Sequence, residues 1–428
     1  MLLIVGLIWI GPAWQEPRFL WAMAAWDVLA LAVWLWDLRR LPRPAQLTVR
    51  RISHEPLSLS SKTAIELEVE NESHTAVRVT VVDDLPGTFR TELPEAEINA
   101  PPRGKGTATY EIQPRERGDA ALGRAGLRYQ SPWGIAERWA SAELAQIARV
   151  YPNLAEARRQ KIFLVRSRQI ELEKRLKRQR GQGREFESLR DYRIGDEWRD
   201  ISWSATARRG KLISKVFQTE RSQTVWIVID AGRLLRARAT ELSKLDFSVN
   251  TALSLAQVAF QSGDLVGVLA YGRRTQQRVA PGRGSPHLRA MIESLALVHA
   301  EPFEADHARA ADALLAAQKR RSLVIWLTDL AETASTPEVI ESAARLARRH
   351  LVLLAVISQP ELRQVASEKP GNLGEMYRTA AALEIVQRRE IFLRQLRQQG
   401  ALTLEVEPER LSTAVMNRYL EVKERSLI

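Results

Sequence analysis

Hydrophobic and polar positions change their rhythm several times along the chain. Residues 1–14 and 19–38 are nearly continuous apolar runs. The second is 20 residues long, matching the roughly 20 helical residues that cross a ~30 Å hydrocarbon layer. The first would reach only ~21 Å at ~1.5 Å per residue. From residue 46 to 151 the period becomes two: Ile65, Leu67 and Val69 alternate with Glu66, Glu68 and Glu70, and Val77, Val79 and Val81 repeat the pattern. Such alternation marks strands with one buried face. Turn residues at Asn71, Pro86-Gly87, Pro101-Pro102 and Arg117-Gly118-Asp119 separate the runs and predict a small antiparallel β-sandwich.

Residues 161–180 read as a helix rich in arginine and lysine, broken at Gly181 and Gly183. Beyond residue 224, apolar strands alternate with helical faces. Val225 to Ile229 is uninterrupted and β-branched or aromatic, as in a parallel strand covered on both sides. Further strands are expected at 265–271, near 277–280, and at 322–328, 351–357 and 402–406. The helix beginning at Leu245 ends at Gly263, where a left-handed cap is expected. A helical region from 360 to 399 is interrupted at Pro370-Gly371. This alternation predicts a doubly wound α/β domain. The expected organisation is a membrane anchor at 1–40, a sandwich at 45–152, a basic linker at 153–183 and the α/β domain with its leading segment at 184–428.

That leading segment, GREFESLRDYRIGDEWRDISWSATARRGKLISK from Gly183 to Lys215, mixes charged residues with Phe186, Leu189, Tyr192, Trp198 and Trp203 at no steady period. Its run G-R-E-F-E-S-L-R-D-Y-R-x-G-D-x-x-R-x-I-x-W-x-A-T-A-R resembles the signature of the bacterial family catalogued as domain of unknown function 58. Similar wording recurs at 244–272, 322–330 and 418–420, so the resemblance reaches nearly the whole chain. It implies a membrane-anchored protein with two transmembrane helices as a hairpin and a von Willebrand factor A-like domain. It also implies association with a MoxR-type AAA+ ATPase.

Composition refines this picture. The chain lacks cysteine, which excludes disulfides, thiolate metal sites and a cysteine nucleophile. A net charge of +12 favours anionic surroundings; lipid headgroups or an acidic protein are expected and nucleic acid is not, since no nucleic-acid motif is present. Trp9, Trp14, Trp21, Trp26, Trp34 and Trp36 supply half of the 12 tryptophans, a membrane composition. Asp27, mid-segment, is costly in lipid and needs another helix or a polar cavity beside it. Ala22-Met23-Ala24 imitates a signal-peptide cleavage site, but no basic residue precedes the apolar run. Arg39, Arg40, Arg43, Arg50 and Arg51 crowd the far side of the second segment, against only Arg18 and Glu16 in the short turn before it. The positive-inside bias therefore puts everything after Arg39 in the cytoplasm, and the anchor is expected in the inner membrane.

Candidate chemistry lies at the strand ends. Von Willebrand A domains often hold Mg²⁺ through Asp-x-Ser-x-Ser with a later threonine and aspartate, and hard cations need that many oxygens. Here the first motif reads Asp230-Ala231-Gly232-Arg233-Leu234, so both hydroxyls are missing. Thr328 and Asp329 match the late positions, and Asp306 lies near the expected threonine. The resulting site is degenerate, with Mg²⁺ kept as an alternative to no cofactor. The bland alternative is that Asp230 and Asp329 cap helices or accept bonds from Arg190, Arg193 or Arg199. The six histidines lack metal-ligand spacing, and neither a G-x-S-x-G elbow nor a Walker loop is present. No enzymatic activity is expected, although a hydrolase with an unrecognised site stays open.

The expected role is an adaptor whose partner-binding surface includes Arg190, Arg193, Asp196, Trp198, Arg199 and Trp203. The same residues could instead lock the segment onto the sheet. Client and oligomeric state are not legible.

Overall fold

The computed structural model describes residues 18–89, 94–131, 133–153, 185–193, 196, 198–218, 223–330 and 336–425. The expected first membrane helix at 1–14 and the basic helix at 161–180 lie outside them. The chain divides into two compact units, 1–150 and 151–428.

The first unit opens with helix α1 (Arg18–Arg40). Its apolar side chains point outward, with Leu20, Trp21, Val28, Leu29 and Leu31 each at least half exposed. Among the described residues it alone is long and apolar enough to cross a membrane. Asp27, midway along, keeps one carboxylate oxygen buried without a hydrogen-bond partner. The last turn of α1 is pinned to the strands that follow. Asp37, 2% exposed, accepts from Ser131 Oγ at 2.6 Å and from the Ala136 amide at 2.9 Å.

Among the described residues, nine strands follow in this unit. One antiparallel sheet has β1 (Leu47–Ser53), β2 (Thr63–Asn71) and β5 (Gly104–Ile112), with β2 central. A second orders β4 (Glu95–Ala100), β3 (Val77–Asp83), β7 (Ala125–Gln130) and β8 (Glu137–Ala142); β6 (Gly118–Leu122) pairs with β9 (Gln146–Val150). The period-two residues behave as expected: Leu67 and Val69 meet Val77, Val79, Val81, Ile98, Leu127 and Tyr129 in one core fed by both larger sheets. Burying each such side chain contributes about 1.5–3 kcal/mol.

One expectation fails here. Arg51 is not on the membrane flank; its side chain is 2% exposed and forks onto Asp83, itself fully buried, while also donating to the Leu144 and Gly123 carbonyls. Arg50, its neighbour on the other face of β1, sits beside Glu68 and Glu70. Alternation along a strand sends adjacent arginines to opposite faces, so a charge count along the chain overstates the basic flank.

The second unit contains a two-stranded antiparallel hairpin, β10 (Glu185–Asp191) with β11 (Ile213–Gln218), and a six-stranded sheet ordered β14-β13-β12-β15-β16-β17. Those strands are β12 (Thr224–Asp230), β13 (Leu265–Tyr271), β14 (Thr275–Gly282), β15 (Leu323–Thr328), β16 (Leu351–Ile357) and β17 (Leu402–Val406). All pair in parallel except β14, an antiparallel edge. The chain starts at β12, moves outward to β14, then crosses to the other flank for β15. Strand order therefore reverses between β12 and β15, the place where such sheets open a crevice at their carboxyl ends.

Besides the short α2 (Trp203–Arg209), the helices are α3 (Lys244–Gln261), α4 (Ser285–Ala296), α5 (His307–Ala317), α6 (Thr336–Ala347), α7 (Pro360–Ser367), α8 (Leu373–Gln398) and α9 (Leu411–Glu424). α5, α6 and the second half of α8 pack on Trp226, Trp326 and Leu354, and α3 and α9 cover the other face. α3 is held at its start by a capping box, Ser243 with Asp246, and stops at Gly263, whose φ of +81° is the expected left-handed cap. The break at Pro370-Gly371 separates α7 from α8 as expected.

Candidate functional site

Two groups of polar residues compete for the role of site: the carboxylates at the strand ends and the hairpin that precedes the sheet.

At the strand ends, β12 delivers Asp230 and β15 delivers Thr328 and Asp329, all three at most 3% exposed. The register that sets Ile229 opposite Leu327 brings these adjacent strand ends together. Thr328 Oγ1 donates to Asp230 Oδ2 at 2.6 Å, and the Gly232 amide donates to Asp230 Oδ1 at 2.7 Å. Both oxygens of this carboxylate are thus occupied. Gly232, where a hydroxyl was missing from the sequence motif, is required by packing: a Cβ there would lie 2.8 Å from the Ala305 backbone nitrogen. Burial pushes the Asp230 carboxyl above its ordinary range, and the neighbouring Asp329 charge adds to the shift. His307, the Thr328 hydroxyl and the Gly232 amide oppose it.

Asp329 is served by two cations that sequence reasoning missed. Lys244 Nζ, on the first turn of α3, lies 2.5 Å from Oδ2, and Arg389 Nη2, on α8, lies 3.1 Å from Oδ1. The Leu330 amide donates to Oδ1 at 2.7 Å. Arg389 also donates to the Ile357 carbonyl at 2.5 Å, and its Nε lies 3.1 Å from Glu405 Oε1, close enough for an ion pair but off line for a hydrogen bond. A signal for Arg389 existed. It is the one charged residue in the helical series Ala382, Val386, Arg389, Leu393, Leu396, whose other members face inward, and a cation on an inward face needs a partner. Nothing local marked Lys244, since its partner lies 85 residues away.

Asp306 does not join this group: its carboxylate caps α5, accepting from the Arg309 amide at 2.8 Å. Among the described residues, no three histidine, aspartate or glutamate side chains converge as a metal centre would require. Nor do Arg190, Arg193 or Arg199 reach the two strand-end aspartates, whose partners are those named above. Beside the cluster, Tyr271 accepts from Trp326 Nε1 at 2.7 Å, and its hydroxyl shares a second hydrogen bond of 2.8 Å with His307 Nδ1, whose direction is set by the imidazole tautomer. Burial, reinforced by Asp230, raises the Tyr271 hydroxyl well above its ordinary pKa.

The hairpin is built differently. Ile201 and Ile213 are buried, Ile201 bridges to Ser214, and the Ile213 amide donates to Thr206 Oγ1 at 3.0 Å. The turn after β10 is closed by Asp196, which accepts from Arg190 Nη2 at 2.7 Å and from the Arg193 amide at 3.0 Å. Those donors, the Arg193 amide foremost, hold the Asp196 carboxyl below the usual carboxylate range. α2 ends at Gly210, with φ of +64°. The two indole rings of the segment remain outside this small core. Trp198 is 70% exposed, with Tyr192 tilted against it at 6.3 Å, and Trp203 is 62% exposed. The guanidinium of Arg199 is exposed and has no hydrogen bond or ion pair among the described residues. The structure thus joins Arg190 and Arg193 to Asp196, while Trp198, Arg199 and Trp203 stand exposed on the same segment.

Comparison with known proteins agrees with the signature. The family model described as "Protein of unknown function DUF58" matches residues 188–367. A curated relative, the uncharacterized protein YeaD of Bacillus subtilis strain 168, is 24% identical over 115 residues, which cover 27% of this chain and 26% of that protein. The match therefore spans about a quarter of the relative's length. Among solved structures, a PapD-like domain of human CEP192 aligns at 16% identity over 24% of this chain and 87% of that one, with a TM-score of 0.19. Proximal thread matrix protein 1 from the mussel byssus aligns at 12% identity over 46% of each chain, with a TM-score of 0.30. Likenesses this slight do not define a fold.

Proposed function

We propose that this chain is a non-enzymatic, membrane-anchored adaptor, and that its hairpin at 185–218 is the surface that receives a protein partner. The observation that carries the reading is the presence of two exposed tryptophans and an exposed Arg199, unpaired among the described residues, on a segment whose Ile201 and Ile213 are buried without them. Tryptophan and arginine are the residues that dominate interface energetics, and rings needed for internal packing would not stand 62–70% exposed. The strand-end carboxylates take no part in chemistry in this reading. Lys244 and Arg389 already supply the positive charge that a divalent cation would bring to Asp329.

The reversal of strand order between β12 and β15 and the helices on both faces favour a von Willebrand A-like domain. The family resemblance supplies the partner class, a MoxR-type AAA+ ATPase acting in assembly or maturation of complexes. The outward-facing apolar surface of α1 supports a membrane anchor, and Arg39, Arg40 and Arg43 on its carboxyl side favour the inner membrane with the following units toward the cytoplasm in this reading.

Crosslinking from membranes of cells carrying the wild type or a W198A/R199A variant tests this reading, with captured proteins scored for an AAA+ subunit. The wild type recovers the subunit, and the variant loses it while melting as the wild type does. Equal recovery by both would remove the hairpin from the interface.

A further inference from the structure

We infer that the end of the first unit carrying Trp133 lies in the phospholipid headgroup layer, so that the strand domain rests on the membrane rather than hanging from it on a tether. The inference builds on the reading of α1 as a membrane span and adds a second element to the membrane contact.

The last turn of α1 is fixed to the strand domain at several points. Asp37 is held by Ser131 and Ala136. Thr75 Oγ1 donates to the Arg40 carbonyl at 3.2 Å, and the Tyr129 hydroxyl and Arg138 donate to the Pro42 carbonyl at 2.9 and 3.1 Å. The loops at this end of the domain therefore sit at a level set by the helix. If α1 spans, its apolar surface gives way to Arg39 and Arg40 at the membrane–water boundary, and these loops share that boundary.

Trp133 is the side chain they present there. It is 57% exposed, and its ring centroid lies 5.1 Å from that of Trp36, itself 45% exposed on α1. The Arg40 guanidinium lies 3.7 Å from the Trp36 ring centroid and 5.6 Å from that of Trp133. Two half-exposed indoles with a cation across them are uneconomical in water, but they suit the interface, where an apolar ring meets lipid and a guanidinium meets phosphate. The indole of Trp133 comes from a strand-domain loop and that of Trp36 from the helix, so the contact is continuous with the span. Beside Trp133 opens a groove of about 490 Å³, with Arg78, Asn99 and Gln130 among its walls. It offers a lipid headgroup one cation and several hydrogen-bonding groups. Anionic phospholipid is the matching chemistry, with each basic residue near such a surface contributing ~1 kcal/mol.

The absence of cysteine makes the test clean, because each introduced cysteine is the only one in the full chain. Nitroxide labels would be placed singly by L29C at the midpoint of α1, W133C, and K62C ahead of β2. The nine residues of β2 put position 62 roughly 30 Å from the helix-proximal end at ~3.3 Å per residue. With the protein in phosphatidylethanolamine–phosphatidylglycerol vesicles, power saturation by oxygen and by a nickel chelate reads depth. The expected order is hydrocarbon at 29, headgroup at 133 and water at 62. Water-like accessibility at 133 with lipid-like accessibility at 29 would overturn this inference and leave the span intact. Water-like accessibility at 29 would remove the span, and this inference with it. Should W133C fail to insert, A76C, on the wall of the same groove, takes its place with the same expected depth.

Discussion

The strand-end cluster and the hairpin draw on the same kinds of side chain and arrive at opposite conditions. At the strand ends, Asp230 and Asp329 are almost completely buried and every carboxylate oxygen has a partner. In the hairpin, Asp196 closes a turn while Trp198, Trp203 and Arg199 face water. A buried ionic group that is fully paired is costly to disturb and has nothing left to offer a ligand. An exposed ring beside a free guanidinium contributes little to the fold and keeps its binding capacity. Position at the carboxyl end of a sheet is therefore not enough to identify a site; the partners of each polar atom decide it.

The contrast can be broken in order of expected effect. K244M takes the ammonium from Asp329 and leaves a buried carboxylate under-compensated, which should cost about 3–5 kcal/mol in denaturant unfolding of the protein in detergent. Adding D329L should recover most of that loss, because the charge is then gone from both sides. W198A should act in the opposite way: unfolding within about 0.5 kcal/mol of wild type, but partner binding weakened by about 2 kcal/mol, near 30-fold. A matching loss of stability would make the ring a packing residue and dissolve the contrast.

G232S restores a hydroxyl to the strand-end motif. It should still destabilise by about 1–3 kcal/mol, because its Cβ meets the Ala305 backbone. D230N should have only a small effect at neutral pH, within about 1 kcal/mol, since the amide keeps the bond from Gly232 and removes a charge that burial disfavours. Its signature is in the pH dependence. A carboxyl raised in the folded state favours the fold most below its unfolded pKa, and that contribution is lost as pH rises through the folded value. The wild type should therefore lose stability relative to D230N across that rise, as read from melts at successive pH values.

Much of the fold was legible because it rests on local periodicity. Ile65, Leu67 and Val69 had to face one way, Val225 to Ile229 had to be covered on both sides, and Gly263 and Pro370-Gly371 had to end helices. The partners of the charged residues were not legible in the same way. Arg389 meets Asp329 across 60 residues and Lys244 meets it across 85, distances over which no spacing rule operates. Arg51 was misplaced for a related reason: a strand sends it inward while its neighbour Arg50 stays outside. The hairpin was visible as an unusual composition, but whether its tryptophans were buried or presented depended on how Ile201 and Ile213 closed a core without them.

The central claim is that recognition belongs to the hairpin and not to the strand ends. Its most direct test is the affinity of full-length protein in nanodiscs for a MoxR-type ATPase, compared between W198A and D230N with and without Mg²⁺. W198A should lose binding at either Mg²⁺ level while D230N binds as the wild type does. Binding that survives W198A but vanishes in D230N, or that depends on Mg²⁺ through Asp230, would contradict it.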